Sequence, residues 1–373
     1  MSGFNMRPLA MVIDPEPGNP NEVGGILNPA AARGADGHLY LFPRLVAKGN
    51  YSRIGIARVQ FDSTGEPCGI ERLGIALEPE MPYELRPDGG GCEDPRVTFV
   101  EPLKQYVMTY TAFSPEGPRI ALAVSEDLFT WERLGLATFE PYEGIHFDGV
   151  DNKDAAMFPL AVPNPSDHHE LAILHRPLFP GTLPEDIVEM DENRDVDLHR
   201  ESIWISYSPA GPNDPKYQLR EFTSHHRLAS PVSDWESLKI GSGAPPIMTK
   251  HGWLFIYHGV TDLAPPNSDV HHFSYSAGVM ILSRDHPQEI LYRSTHPALA
   301  PGPYNGPRGT PSNVVFPTGI DRRDDIGQPD RLDVYYGIND YQIAVARLDI
   351  PPTLPHAGEA DPPASQTHEK TII

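Results

Sequence analysis

The segments HLYLFPRL at residues 38–45 and IGIARVQFDSTGEPCGIERLG at residues 54–74 decide the fold, because this pair of patterns recurs along the chain. The first pattern is a β-branched and aromatic run that ends in polar residues. The second begins with the form I-x-x-A and continues through a polar turn. Short apolar runs bounded by turn residues are typical of β-strands. Each pair therefore predicts two neighbouring strands.

The pair recurs at regular intervals. The first pattern returns as QYVMTYTAF (105–113), ELAILHRPL (170–178), GWLFIYHGV (252–260) and RLDVYYGIND (331–340). The second returns at 120–135, 203–222 and 275–294, and as the truncated copy IAVARLDI at 343–350. Repeated sheet units indicate a β-propeller. We therefore predict an all-β, five-bladed β-propeller whose ring is closed by chain-terminal strands, with one irregular β-sandwich as the alternative.

The composition supports a strand-rich fold. The 373 residues include 42 Pro and 32 Gly, and both residue types disfavour helix interiors. The clearest helical candidate is the short stretch LPEDIVEMDENRD at 183–195, which could also be a mobile loop. We expect a single catalytic domain over residues 1–373, with a Pro-rich tail from about residue 351.

The charge and the cysteine count exclude several classes of protein. With 29 Lys and Arg against 51 Asp and Glu, the net charge of −22 disfavours nucleic acid as a partner. No apolar run reaches the length of about 18 residues that a membrane span needs, and no secretory signal is visible, so we expect a cytoplasmic protein. Two cysteines and the absence of a spacing such as H-E-x-x-H argue against a disulfide scaffold and a metal site.

Polar residues follow several of the predicted strands. In a propeller the inner strand ends face one channel, so these residues should converge: Arg44, Asp94 with Arg96, Arg176, His258 and Asp340. Acidic and basic groups around one channel indicate a sugar or anion site.

Asp94 and two cations stand out among them. Asp94 lies in GGGCEDPRVTF (89–99), where the glycines predict a close approach of the backbone and Arg96 could tune the carboxylate. Lys153 lies in DNKDAAMFP and Arg176 in LHRP, and two cations near one channel favour a bound anion. The structural alternatives are a surface Asp–Arg pair in a turn and ordinary ion pairing.

Further motifs stand in the order LNPA (27–30), GCEDPR (91–96), NKDAAMFP (152–159), LHRP (174–177), KIGSGAPP (239–246), GWLFIYHG (252–259), NVVFPTG (313–319) and YYGIND (335–340). This succession resembles glycoside hydrolase family 130, which contains inverting phosphorylases and some hydrolases acting on β-mannosides. The resemblance extends over nearly the whole chain and implies a five-bladed β-propeller.

The resemblance also implies roles for individual residues. Asp94 would be the single catalytic acid, and phosphate would supply the nucleophile, so no cofactor is needed beyond phosphate as co-substrate. An inverting hydrolase would instead need a second carboxylate to activate water. The implied phosphate contacts are Lys153, Arg176, His258 and Tyr275, and the implied sugar contacts are Asn28, Arg44, Arg96, Phe316 and Asp340. Members of this family often assemble into homo-oligomers.

One departure from the family pattern bears on the reaction. Phosphorylases commonly have a Lys after PPI, where this chain has Met248, although Lys250 would lie on the same strand face and could substitute in part. A hydrolase would need a base, for which Glu143 and Glu236 are candidates. Three hypotheses therefore remain: a phosphorylase releasing mannose 1-phosphate, an inverting β-1,2-mannosidase, and a non-catalytic sugar-binding propeller. The loops at 140–150 and 180–201 are expected to shape the acceptor side.

Overall fold

The computed structural model describes residues 4–179, 200–265, 268–302, 309, 311–355 and 365–366. Helical structure in this part of the chain is limited to short 3-10 helices at Pro82–Glu84, Lys216–Arg220, Asp234–Glu236 and Arg323–Ile326. The prediction of an all-β fold is therefore confirmed. No helix among these residues has the length and apolar character needed to cross a membrane. The helical candidate at 183–195 lies outside the described residues.

The strands form successive antiparallel units. β1 (Met6–Ile13) precedes the first unit, which contains β2 (Gly25–Arg33), β3 (Leu39–Ala47), β4 (Tyr51–Phe61) and β5 (Pro67–Leu77). The second unit contains β6 (Gly90–Val100), β7 (Gln105–Ser114), β8 (Gly117–Ser125) and β9 (Glu132–Leu136). The third follows the short β10 (Thr138–Phe139) and contains β11 (Asp151–Met157), β12 (Val162–Pro163), β13 (His169–Leu178), β14 (Ile203–Ser208), β15 (Glu221–Phe222) and β16 (Ser224–Ala229).

Two further units complete the chain. The fourth contains β17 (Lys239–Ser242), β18 (Ile247–Thr249), β19 (Gly252–Asp262), β20 (Phe273–Leu282) and β21 (Ile290–Arg293). After β22 (Leu299–Ala300), the fifth contains β23 (Asn313–Arg322), β24 (Arg331–Ile338) and β25 (Gln342–Asp349), and β26 (Ser365–Gln366) pairs with β22.

Counted in the hydrogen-bonded order of each unit, where the short β12 and β18 lie off the main path, the repeated strand pairs of the sequence are the second and third strands. Each pair is antiparallel: β3 with β4, β7 with β8, β13 with β14, β19 with β20 and β24 with β25. Among the described residues the fifth unit has no later strand of its own, and β1 pairs with the free edge of β25. A chain-terminal strand therefore completes the truncated fifth copy, as the sequence predicts.

The hydrophobic core is divided among the contacts between successive units. Separate clusters of buried side chains join the first unit to the second, the second to the third, the third to the fourth, and the fourth to the fifth. Another cluster joins the fifth unit to the first, where Ile343 and Val345 belong with Leu41 and Val59. Each sheet thus buries both faces, which explains why its strands are almost continuously apolar.

The first strands of the units pack against one another at the centre of this arrangement. β2 contacts β6, β6 contacts β11, and β11 contacts β17. β23 contacts β19 and β20 of the fourth unit and also β2. In hydrogen bonding, the strands of the described residues fall into four separate sheets, and no closed sheet is formed.

Candidate active site

Bulges in the first strands set the positions of three polar side chains. The register shifts after Leu27 in β2, after Glu93 in β6 and after Lys153 in β11. The residue that follows has a left-handed backbone in each case: Asn28 with φ 47°, Asp94 with φ 46° and Asp154 with φ 57°. Asn and Asp adopt this conformation more readily than other non-glycine residues, and a bulge redirects the side chain. Three units therefore present an equivalent polar group.

These positions differ from the expected strand ends. Asp94 and Lys153 lie within first strands, at bulges. Arg44, Arg176 and His258 lie within second strands, where Arg44 pairs in register with Leu27, Arg176 with Lys153 and His258 with Gly241. The side chains are thus brought together by the first two strands of each unit and not by strand termini.

Asp94 is buried and strongly paired. Asn28 Nδ2 donates to Asp94 Oδ1 at 2.8 Å, and Arg44 Nη1 lies 3.3 Å from the same oxygen. Burial raises the pKa of Asp94, but the positive charges of Arg44, Lys153 and Arg96 and the Asn28 hydrogen bond outweigh it and lower the pKa below its ordinary value. Asp94 is therefore a carboxylate in the ligand-free protein.

Two further carboxyl groups surround Arg44. Arg44 Nη2 donates to Glu93 Oε1 at 2.7 Å, while burial, with the charge of Asp94, raises the pKa of Glu93. Burial raises the pKa of Asp340, in the turn after β24, to about 6 despite the charge of Arg44. Arg44 thus pairs with Glu93 and Asp94, and its charge also acts on Asp340.

A cavity of about 630 Å³ opens beside this cluster. Arg44 and Asp340 line it together with residues of the turns around them: Val23, Gly24, Leu27, Val46, Ala47, Lys48, Gly49, Asn50 and Gly309. Its volume lies within the range of about 300–1,000 Å³ that is usual for small-molecule sites. A short oligosaccharide would fit there.

A cluster of cations lies around the bulge of β11. Arg176 Nε donates to Asp154 Oδ2 at 2.8 Å, and Arg176 Nη1 forms an ion pair with Glu201. Glu201 Oε1 lies 3.5 Å from Lys239 Nζ. Burial lowers the pKa of Lys239 to about 8, and the charges of Arg176 and Lys153 act in the same direction. The side chain of Lys153 is half-buried, and its positive charge acts on Asp94 as well as on Asp154.

His258 completes this side of the site. It is fully buried, with Nε2 at 3.7 Å from Asp154 Oδ2, and neither ring nitrogen has a hydrogen-bond partner among the described residues. Burial lowers the pKa of His258 to about 3, so the ring is neutral and can donate one hydrogen bond and accept another. The rings of Phe316 and Tyr275 lie 4.4 Å and 6.1 Å from it, measured between centroids.

Arg96 has surroundings that differ from those expected of a sugar contact. It is 1% exposed and donates to the backbone carbonyls of Asp94 at 2.8 Å, Ser242 at 3.0 Å and Gly243 at 3.1 Å. Its guanidinium also faces the ring of Phe316 at 5.6 Å. These contacts join β6 to the end of β17 and the residue that follows it, which suits a residue that positions the site.

The glycines before Asp94 also serve strand packing. A Cβ at Gly90 would lie 2.3 Å from the carbonyl oxygen of Phe113, and a Cβ at Gly91 would lie 2.1 Å from that of Ser52. The close approach expected from the glycine run is therefore an approach to β7 and β4. Through it, the bulge that carries Asp94 is held against both neighbouring strands.

Lys250 does not substitute for a cation at position 248. β18 ends at Thr249, so strand alternation does not extend to Lys250, whose Nζ pairs with Asp330 Oδ2 at 2.8 Å on the surface. Met248 packs on an apolar cluster and pairs in register with Trp253, five residues along β19 from His258. At about 3.4 Å per residue, Trp253 and His258 are about 17 Å apart along the strand. Position 248 therefore lies outside the cation cluster.

The two glutamates considered as bases lie elsewhere. Glu236 is buried, and its Oε1 accepts from the backbone N–H groups of Val232 and Ser233 and from Arg293. Glu143 is exposed in a turn. The carboxylate that joins the cations is Glu201, which sequence reasoning missed. No motif marks it, and the loop 180–201 that it ends is otherwise described only at Arg200.

A buried acid, three neighbouring cations and a cavity of about 630 Å³ are the features expected of an enzyme that acts on a sugar. The chain belongs to glycoside hydrolase family 130: the family model described as beta-1,4-mannooligosaccharide phosphorylase matches residues 6–354. The resemblance seen in the sequence is thereby confirmed.

Comparisons with individual proteins agree with this membership. The chain is 29% identical over 345 residues to a 1,2-beta-oligomannan phosphorylase of Thermoanaerobacter sp. (strain X514), which covers 91% of this chain and 95% of that protein. The structure of a beta-1,2-mannobiose phosphorylase from Listeria innocua has a TM-score of 0.62 and 22% identity, covering 91% of this chain and 97% of that one.

A further solved structure comes from work on GH130 glycoside hydrolases that target beta-1,2 mannosidic linkages in Candida mannan. Its TM-score is 0.61 and its identity 20%, over 95% of this chain and 96% of that one. At this identity the likeness concerns the fold alone.

Proposed function

We propose that the five units are the blades of a five-bladed β-propeller that forms a single catalytic domain. The cyclic order of contacts supports this, because a cluster of buried side chains lies between every two successive units and again between the fifth and the first. The pairing of β1 with β25 then closes the ring inside one blade. The first strands would surround the axis, and the site would lie at one end of it.

The enzyme is proposed to be an inverting phosphorylase that cleaves β-mannosides with phosphate and releases α-mannose 1-phosphate. The observation that carries this is the grouping of Lys153, Arg176 and Lys239, in which Lys153 also lies close enough to Asp94 for its charge to lower the pKa of that acid. Cations of this kind form the strong, charge-assisted hydrogen bonds that phosphate accepts. The relative named as a 1,2-beta-oligomannan phosphorylase supports β-1,2-linked mannose as the first substrate to test.

In the proposed reaction a phosphate oxygen forms a bond to the anomeric carbon from the face opposite the leaving group. The bond between that carbon and the glycosidic oxygen breaks, and the leaving oxygen takes the proton of Asp94, directly or through a substrate hydroxyl. Phosphate brings its own nucleophilic oxygen, so one carboxyl group suffices where hydrolysis needs two. No cofactor takes part.

Asp94 must be protonated when the glycosidic bond breaks, although it is ionised in the free protein. Lys153 and Arg44 are among the charges that hold its pKa down. Bound phosphate would offset the charge of Lys153 and so raise the pKa of Asp94. Exclusion of water by the sugar would act in the same direction, because burial favours the neutral acid. Phosphate and the sugar together would thus raise the pKa of Asp94 and favour its protonated form.

The remaining predicted residues fall into three groups. Arg44, Asp340 and Phe316 are proposed to hold the sugar, while His258 and Tyr275 complete the phosphate side. Asn28 and Arg96 are proposed to act mainly by positioning Asp94, through its side chain and its backbone carbonyl respectively.

Hydrolysis by water is the second candidate function. It is favoured by Glu201, because a carboxylate beside the cations could accept a proton from water. Met248 lies outside the cation cluster, so the presence of Met in place of Lys at this position no longer favours hydrolysis.

Incubation with β-1,2-mannobiose or β-1,4-mannobiose, with and without phosphate, tests the proposal. Phosphorus and proton NMR should detect α-mannose 1-phosphate only when phosphate is present. Release of free mannose at the same rate in both buffers would overturn the proposal in favour of hydrolysis.

A further inference from the structure

We infer that the carboxylate of Glu201 occupies the anion-binding position in the free enzyme, so that phosphate must displace it to bind. Glu201 would thus set the affinity of the enzyme for its nucleophile. This inference rests on the proposed phosphorylase function.

The geometry places Glu201 where a phosphate ion would find its donors. One carboxylate oxygen pairs with Arg176 Nη1, and the other lies 3.5 Å from Lys239 Nζ. A carboxylate and a phosphate accept hydrogen bonds from guanidinium and ammonium groups in similar ways. The two anions cannot use the same donors at once, so they compete.

Asp154 and Glu201, the two acidic partners of Arg176, differ in burial as expected if phosphate replaces only Glu201. Asp154 is fully buried in β11 and accepts from Arg176 Nε, which fixes the guanidinium in place. The side chain of Glu201 is 24% exposed, against 5% for Arg176, and it lies outside regular structure before β14 begins at Ile203. Asp154 can therefore keep Arg176 oriented while Glu201 moves away towards solvent.

The competition has a measurable consequence. When a site is open in only a fraction of the molecules, its apparent dissociation constant equals the intrinsic dissociation constant divided by that fraction. Removing the charge of Glu201 should open the site more often. A Glu201→Gln variant keeps the size of the side chain and loses most of the attraction to Arg176 and Lys239.

The experiment measures phosphate binding by titration calorimetry and the phosphate KM with mannobiose present. For Glu201→Gln we expect the dissociation constant and KM for phosphate to fall by about three- to tenfold, as for loss of a partly exposed ion pair. Glu132→Gln is the matched control, because it removes an exposed glutamate paired with Lys216 at 3.1 Å, and it should change neither constant.

The other outcomes separate this inference from the proposed function. Unchanged or weaker phosphate binding by folded Glu201→Gln, with an active wild-type phosphorylase, would overturn the inference alone. A wild-type enzyme that neither binds phosphate nor makes mannose 1-phosphate would overturn the proposed function first. If Glu201→Gln loses phosphate-independent release of mannose, Glu201 acts as a base and the inference is also overturned. Should Glu201→Gln fold poorly, Glu201→Ala provides the same comparison.

Discussion

Asn28 donates a hydrogen bond from Nδ2 to Oδ1 of Asp94 at 2.8 Å, although 66 residues separate them in the chain. Both residues have a left-handed backbone at a strand bulge, one in the first unit and one in the second. The contact therefore depends on how two units pack and on two local distortions. The hydrogen bond fixes the position of Oδ1 of Asp94, the proposed acid, and does not involve Oδ2.

Asp94→Asn should remove turnover without unfolding the protein. Asn tolerates the left-handed backbone and preserves the shape of the side chain, but it cannot supply the proton. We expect kcat for mannobiose phosphorolysis to fall by about 10²- to 10⁴-fold, the usual value of a general acid. Asp88→Asn, which alters an exposed aspartate paired with Arg86, should keep full activity. A fully active Asp94→Asn variant would exclude Asp94 as the acid.

Asn28→Gly should change the pH dependence of the reaction. Glycine accepts the φ of 47° at this position and removes the hydrogen bond that favours the ionised form of Asp94. The pKa of Asp94 should therefore rise. Because the reaction needs Asp94 protonated in the complex with both substrates, the high-pH limb of kcat should move upward by about half a unit to one unit.

The matched control for this change is Asp167→Gly, at an exposed turn where φ is also positive. It alters the backbone entropy in the same way and should leave the pH profile where it is. A shift of the limb to lower pH in Asn28→Gly would contradict the proposed role of the hydrogen bond.

Lys153→Gln and Arg176→Gln should both weaken phosphate binding but differ in stability. Each loses one cation, so we expect the phosphate KM to rise about tenfold or more. Of these two cations, Arg176 is the one that donates to the buried Asp154, so Arg176→Gln should also lower Tm, because it deprives that carboxylate of its nearest partner. Lys250→Gln is the control and should change neither quantity. Equal loss of Tm in both variants would show that Lys153 also has a structural role.

Much of the architecture could be predicted because it depends on local pattern. The second and third strands of the units are apolar runs of regular form, and in the first, second and fifth units only a short turn joins them. The left-handed residues Asn28, Asp94 and Asp154 lie in short polar motifs that the sequence already marked. These features are properties of a few neighbouring residues.

The partners of the site residues could not be predicted in the same way. Glu201 lies beside Arg176 where β14 pairs with β13, and it meets Lys239 because the third and fourth units pack together; no spacing in the chain records these contacts. Alternation along a strand suggested that Lys250 could replace a cation at position 248, but the strand ends before it. Sequence patterns thus locate the residues better than they locate what those residues touch.

Arg96→Gln should destabilise the fold more than it affects sugar binding. The guanidinium satisfies the carbonyls of Asp94, Ser242 and Gly243 and lies 3.6 Å from Asp154 Oδ1. Glutamine is too short and has too few donors to replace it, so buried acceptors lose their partners. We expect the free energy of unfolding in urea to fall by about 3–5 kcal/mol.

The control for Arg96→Gln is Arg58→Gln, which removes an arginine from an exposed pair with Glu71 and should cost about 0–1 kcal/mol. Arg96→Lys should remain destabilised, because one ammonium cannot reach three carbonyls in the fork geometry of arginine. A variant at position 96 that keeps wild-type stability but loses affinity for mannobiose would show that Arg96 contacts the sugar. That result would restore the role that the family resemblance implies for it.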